Sequence, residues 1–300
     1  MFKKFILYNP IHKKIVKYFD YLFLLRPTLF FAIWVMIASG SFIVDFHILK
    51  LISINFFPSY VTIVSYISIS LIISGLFIIN QFHDIESDVY NKKLFLLNGI
   101  VDKNLSLKIS KSLIFSGLAI QLVSDWKTFI LTLLIILIWG KLYNEEPYKW
   151  KAKPNMSILT HLLIGVLLIF CGILINVKIN TINIDFHFLK IIIKMIFPYV
   201  LCFISISILT AIPDIKGDKK VNYITFPIKY GQNASYLISF SLILVALFIG
   251  YANEDPIISN ATIISIPFFI FLIIRDKEKD LMRAIRYPIF FHNFFIAYYY

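Results

Sequence analysis

Two stretches of this 300-residue chain hold carboxylates at a spacing suited to chemistry. Residues 80–88 read N-Q-F-H-D-I-E-S-D at the end of a long apolar run, and residues 211–218 read A-I-P-D-I-K-G-D at the end of another. Side chains four apart share a helix face, so Asn80, Asp84 and Asp88 line up, as do Asp214 and Asp218. Carboxylates held close together repel unless a cation neutralises them, and hard oxygen ligands of this kind suit a divalent metal. Mg2+ usually takes one or two carboxylates together with phosphate oxygens and water, so two facing pairs would form a clamp for a diphosphate. Lys92 and Lys93, Lys149, Lys151 and Lys153, and Lys219 and Lys220 lie beside the motifs or in the 141–157 turn, and offer positive charge to the same anion. His83 sits within the first motif but points aside as a helix neighbour of Asp84. His161 reads as an interior histidine of an apolar run, and neither histidine is assigned a role.

The elements that must carry these residues are membrane helices. Hydrophobic residues make up 59% of the chain, charged residues 15%, and the mean hydropathy is +0.81, far from the soluble average of roughly 25% charged. This describes an all-α integral membrane protein and excludes a soluble enzyme. Apolar runs of spanning length predict nine transmembrane helices near 28–44, 59–80, 105–123, 128–142, 158–177, 191–212, 234–251, 257–274 and 287–300. They form one bundle and one domain, residues 1–300, which includes a short cytoplasmic N-terminal segment, 1–27, without the pattern of a removable signal peptide. Cys171 and Cys202 fall inside apolar runs and read as small hydrophobes.

Alternating the connections between two sides of the bilayer places 24 of the 29 Lys and Arg residues on one side. The positive-inside rule makes that side cytoplasmic, together with the N-terminus, and in a prokaryote the membrane is the plasma membrane. The net charge of +12 is thus topogenic and does not point to nucleic acid. Four spans separate the two acidic motifs, so both lie on the cytoplasmic side. A lone D-x-x-x-D there is commonly a solvated helix end, but these four aspartates are a third of the 12 Asp and Glu residues on that face. Their joint occurrence favours a shared site.

The motifs, in order, resemble the UbiA superfamily of intramembrane prenyltransferases. Asn80, Asp84 and Asp88 match its N-x-x-x-D-x-x-x-D signature, followed by Asn91 and Lys92. Residues 142–151, L-Y-N-E-E-P-Y-K-W-K, are similar to its Y-S-x-x-P-x-x-x-K turn. Residues 211–231 are similar to its D-x-x-G-D segment with a downstream T-x-P and closing glycine. The chain departs from the family where an arginine-containing R-P-L-P-S-G run is common, reading L-F-L-L-N-G over 94–99. Asn144 stands in place of a frequent serine, Lys216 in place of a frequent acid, and Thr210 and Ala211 in place of a Lys-Asp pair.

The resemblance implies a UbiA-like bundle that transfers an isoprenyl group from a polyprenyl diphosphate to an aromatic or other lipophilic acceptor. Such a transferase of alkyl or aryl groups other than methyl, serving quinone, pigment or isoprenoid lipid biosynthesis, requires Mg2+. It implies Asn80, Asp84, Asp88, Asp214 and Asp218 as metal ligands, the four aspartates as the catalytic set, and Asn80, Lys92, Tyr143 and Lys151 as substrate contacts. The expected partners are the prenyl diphosphate donor, the acceptor and membrane lipids. A secondary transporter also uses paired intramembrane aspartates for ions or protons. Against that alternative, the acids sit at span ends and no inverted repeat is visible.

Overall fold

The computed structural model describes residues 9–48, 59–91, 101–176 and 186–299, and among them there is no strand. The chain opens with α1 (Pro10–Leu24), turns at Arg26, whose φ of 53° is left-handed, and enters α2 (Phe30–Phe42), which continues as a π-turn over Ile43–Ile48. Then come α3 (Tyr60–His83), the six-residue α4 (Ile85–Tyr90), α5 (Lys103–Ser124), and α6 (Trp126–Ile135), which runs on as a π-helical stretch, Ile136–Leu142. After the 143–153 turn follow α7 (Pro154–Asn176), α8 (Phe186–Thr210) and the short helices α9 (Ile215–Lys220) and α10 (Phe226–Tyr230). The last three are α11 (Gln232–Ala252), α12 (Pro256–Arg275) and α13 (Glu278–Tyr299).

Local chemistry sets several starts. Ser59 accepts a hydrogen bond from the Thr62 amide, Asp102 from Leu105, Asp125 from Lys127, and Asp255 from both Ile257 and Ile258. Each side chain replaces a partner that a helix N-terminus lacks, and Pro256 adds a residue whose missing amide costs nothing there.

Helices stand at all nine expected positions, but among the described residues seven are long and apolar enough to cross a membrane. The count of nine spans is therefore not reached. Helix α6 with its π extension has 10 and 7 residues, about 25 Å of rise against a core of roughly 30 Å. Helix α13 opens on Glu278, Lys279, Asp280, Arg283 and Arg286, and is amphipathic rather than uniformly apolar.

Small residues let the helices approach. A methyl group at Gly40 of α2 would run into the Ile169 carbonyl of α7, and one at Gly172 into the Ile37 carbonyl. Ser110 Oγ donates to the Gly75 carbonyl across α5 and α3 at 2.8 Å, and Ser205 and Ser239 exchange hydroxyl-to-carbonyl bonds across α8 and α11. These contacts pair α2 with α7, α3 with α5 and α8 with α11.

Candidate active site

Both acidic motifs break their helices, the first over one residue and the second over the four-residue turn 211–214. Helix α3 ends at His83, Asp84 takes φ −99° and ψ 4°, and the chain resumes as α4. Helix α8 ends at Thr210, Asp214 takes φ −92° and ψ −4°, and the chain resumes as α9. A continuous helix through residues 80–88, as the sequence suggests, is thus replaced by a helix, a bend and a second short helix. The i to i+4 backbone bonds survive: the Asp84 amide donates to Asn80 O at 3.0 Å, Asp88 to Asp84 O at 2.8 Å, and Asp218 to Asp214 O at 2.9 Å. Side chains therefore keep nearly the same face while the backbone turns across the bundle mouth. Asp88 and Asp218 occupy the fourth position of their helices and are each 8% exposed.

Helices α4 and α9 lie against one another, and Gly217 permits it. A Cβ at this position would strike the Ser87 carbonyl and the Asn91 side chain. Asn91 fastens the pair, donating from Nδ2 to the Asp214 carbonyl at 3.3 Å and accepting from the Gly217 amide at 2.8 Å. Asn91 stands in the sequence three residues after Asp88, but nothing in its type announces this contact, 126 residues away in the chain.

Asn80 Nδ2 donates to Asp84 Oδ2 at 2.9 Å and to Asn144 Oδ1 at 3.0 Å, which leaves its carbonyl oxygen as the ligand-capable atom. Asn144, 1% exposed, is itself held by donation to the Trp139 and Gly140 carbonyls at the end of the π-helical stretch. The residue that stands where serine is common thus orients Asn80. Lys151, 5% exposed, forms an ion pair with Asp84 Oδ1 and stands 5.8 Å from the Tyr223 ring centroid, with Lys149 at 4.9 Å from the same ring. The Ile224 amide donates to Ala152 O at 3.1 Å, tying the 143–153 turn to the segment after α9. Burial, with Asp84, Asp218 and Asp214 nearby, pushes the Tyr143 phenol well above its ordinary value, so it stays protonated.

A cavity of about 380 Å³ joins these parts. Asn80, Asp84, Asp88, Asp214, Asp218, Tyr143 and Lys151 line its mouth. Its walls descend along stripes such as Tyr199, Phe203, Ile206 and Thr210 of α8, with Phe77, Trp139 and Met36 opposite. Thr210 lies four residues before Asp214, the place Asn80 holds before Asp84, and also faces the cavity. Tyr199 closes the lower part, its hydroxyl donating to Asp255 at 2.9 Å. Lys92 falls outside the described residues. His83 is not among the cavity residues, whereas Arg26, Tyr223, His161 and His292 are, although spacing singled out none of them for a role.

Among the described residues, no three His, Cys, Asp or Glu side chains gather closely enough to cage a metal ion alone. The donor set is four carboxylates and an amide oxygen around one mouth. It fits Mg2+ that draws its remaining ligands from a diphosphate and water, the usual habit of this ion.

Structures of a UbiA homologue from Archaeoglobus fulgidus share this fold. The one bound to GPP and Mg2+ has a TM-score of 0.65 at 18% identity, covering 93% of this chain and 99% of that one. The one bound to DMAPP and Mg2+ has a TM-score of 0.63 at 18% identity over the same shares. A digeranylgeranylglyceryl phosphate synthase follows at 0.58 and 20% identity, covering 94% and 97%. In sequence, the chain is 30% identical over 182 residues to the chloroplastic 2-acyl-4-prenylphloroglucinol 6-prenyltransferase of Humulus lupulus, which covers 56% of this chain. The match takes in 41% of that relative's length, so this chain spans about two fifths of it. Residues 28–295 match the UbiA prenyltransferase family, and the chain belongs to that family.

Proposed function

We propose that the protein is a Mg2+-dependent intramembrane prenyltransferase, moving an isoprenyl group from a polyprenyl diphosphate to an aromatic or other lipophilic acceptor. The observation that carries this reading is the meeting of two aspartate pairs, each set at a bend and on the short helix after it, at the polar mouth of a largely apolar cavity. The ligands seen in the Archaeoglobus homologue, GPP or DMAPP with Mg2+, support the donor class. The prenylphloroglucinol substrate of the hop relative supports an aromatic acceptor.

Asn80, Asp84 and Asp88 form one half of the metal site, and Asp214 and Asp218 the other. Mg2+ bound there would stabilise negative charge developing on the leaving pyrophosphate. Lys151 directs positive charge at the same group, Arg26 adds a cation that the 94–99 run lacks, and Lys92 is a further candidate from the sequence alone. The faces of Phe77, Trp139, Tyr143 and Phe203 shelter an allylic cation from water while tolerating its charge. The apolar cavity takes the prenyl chain. Residues 1–300 act as one unit, with the mouth and the N-terminus cytoplasmic.

Purified protein in lipid nanodiscs, given labelled farnesyl or geranylgeranyl diphosphate, Mg2+ and a panel of acceptors, should release pyrophosphate and form a prenylated product. Asp84→Asn and Asp214→Asn should each lower turnover roughly 10²–10³-fold, the scale of losing one preorganised charge-stabilising group, with membrane insertion unchanged. Wild-type turnover in both variants, or aspartate-dependent solute uptake without pyrophosphate release, would overturn the assignment.

A further inference from the structure

We infer that His161 is the group that receives the acceptor substrate, accepting a hydrogen bond from its hydroxyl and then its proton, so that the protein takes hydroxyl-bearing acceptors. This rests on the transferase reading above. His161 lies on α7, seven residues inside the helix from Pro154, about 10 Å of rise from the helix start, and lines the cavity. Its ring packs edge-on against Tyr143, with centroids 5.9 Å apart, and meets Phe203 at 6.2 Å. Tyr143 in turn feels Asp84, Asp218 and Asp214. A chain of ring contacts results, from Tyr143 at the mouth through His161 to Phe203. An acceptor must meet the first carbon of the prenyl chain beneath the diphosphate, and ring contact with the mouth-lining Tyr143 sets His161 beside that place.

The ring's protonation follows from its partner. His161 Nδ1 stands 2.8 Å from the Ser157 carbonyl oxygen, and a carbonyl only accepts, so Nδ1 carries the hydrogen. In the neutral ring the lone pair then belongs to Nε2. Its ring neighbours are Tyr143 and Phe203, in a wall that also includes Ile158, Trp139 and Ser157. A lone-pair acceptor in such a wall selects a ligand that brings a donor, because a ligand without one leaves the nitrogen desolvated and unpaired.

The step balances. An electron pair of the acceptor forms the new bond to the first prenyl carbon as that carbon's bond to diphosphate oxygen breaks. Pyrophosphate leaves with the bonding pair, and the acceptor's hydroxyl proton passes to Nε2. Where the new bond is to ring carbon, the resulting dienone regains aromaticity by tautomerisation.

The test uses full-length protein in nanodiscs with farnesyl diphosphate, Mg2+ and alkylresorcinols, each paired with its dimethyl ether. Wild type should prenylate the resorcinols and discriminate against the ethers. His161→Phe, which keeps an aromatic ring against Tyr143 and Phe203, should raise the acceptor KM about tenfold, as for one lost hydrogen bond. It should also lower kcat roughly 10²–10⁴-fold, the usual range for a lost proton acceptor. The donor KM should be unchanged. His161→Asn, able to accept a hydrogen bond but not a proton, should restore the acceptor KM without restoring kcat. An active wild type with either no preference for hydroxyls or an unaltered His161→Phe overturns this inference alone. A wild type inert with every donor and acceptor defeats the transferase reading and this inference with it.

Discussion

Lys151 and Asp84 form a nearly buried ion pair at the mouth of the cavity, and the two charges have opposite duties there. The ammonium faces an anion to be bound, whereas the carboxylate faces a cation. Lys151→Met should therefore raise the donor KM roughly 10–150-fold, the scale of a lost hydrogen bond to a charged group at ~1.5–3 kcal/mol. It should leave the Mg2+ requirement unchanged or lower, since a neighbouring positive charge is gone. Steady-state titrations of donor and metal separate the two, and a weakened Mg2+ response with an unaltered donor KM would reverse the assignment.

His292 reaches the cavity wall from α13. It is 4% exposed, its Nδ1 lies 2.8 Å from the Pro288 carbonyl, and its Nε2 is buried with no hydrogen-bond partner among the described residues. An unpartnered buried nitrogen costs about 1–3 kcal/mol. His292→Leu should keep or raise the melting temperature, and a marked fall would show that the nitrogen is satisfied in the folded protein. Residue types at fixed spacing made the four aspartates and Asn80 candidates without the fold, and the resemblance of the 142–151 turn to the family added Tyr143 and Lys151. Arg26, Tyr223, His161 and His292 reach the same cavity from separate elements, so no local pattern could have grouped them.

At the scale of elements, the bends at Asp84 and Asp214 matter more than helix length. Each bend carries its motif from a span onto a short helix across the mouth, and the contact between α4 and α9 fixes the separation of the two aspartate pairs. Spacing alone suggested an unbroken helix over residues 80–88, because the i to i+4 pattern persists through the bend and hides it. The glycine between Asp214 and Asp218 was visible as sequence, yet its purpose emerges only when Ser87 and Asn91 arrive opposite it. Gly217→Ala should push α9 away from α4, since the new methyl meets backbone on one side and the Asn91 amide on the other. Overpacking of this kind costs typically ~1–3 kcal/mol, and a displacement of about 1 Å can cost about 10²-fold in rate. Turnover should fall on that scale while helicity and insertion persist. Asn91→Ala should weaken the same junction without a clash, giving a smaller loss. Equal, wild-type rates in both variants would show that the spacing of the pairs is not critical.

For the whole molecule, the mouth defines one end of the bundle. The 143–153 turn meets the segment after α9 there, and α11 begins just beyond it at Gly231–Gln232. Helix α11 then runs 21 residues, about 30 Å, to the Asn253–Asp255 turn at the other end. Asp255 is held there by Tyr199 and by the α12 amides. The lysines and arginines, 24 of 29, gather on the mouth side of the predicted topology, and loop charge of this sign is retained in the cytoplasm. Composition made the membrane class and most of the helices legible. It could not decide how many helices cross, because α6 is short and α13 is charged along its first turns, so packing rather than hydropathy determines their course. The orientation proposed from charge is testable with a variant in which Cys171 and Cys202, both buried, are replaced by alanine. A single cysteine at Glu254 should react with an impermeant maleimide in intact cells. A single cysteine at Glu146, whose carboxylate side chain is 72% exposed, should react only after the membrane is opened. The reverse pattern would place the diphosphate site on the outer face, away from a cytoplasmic supply of prenyl diphosphate.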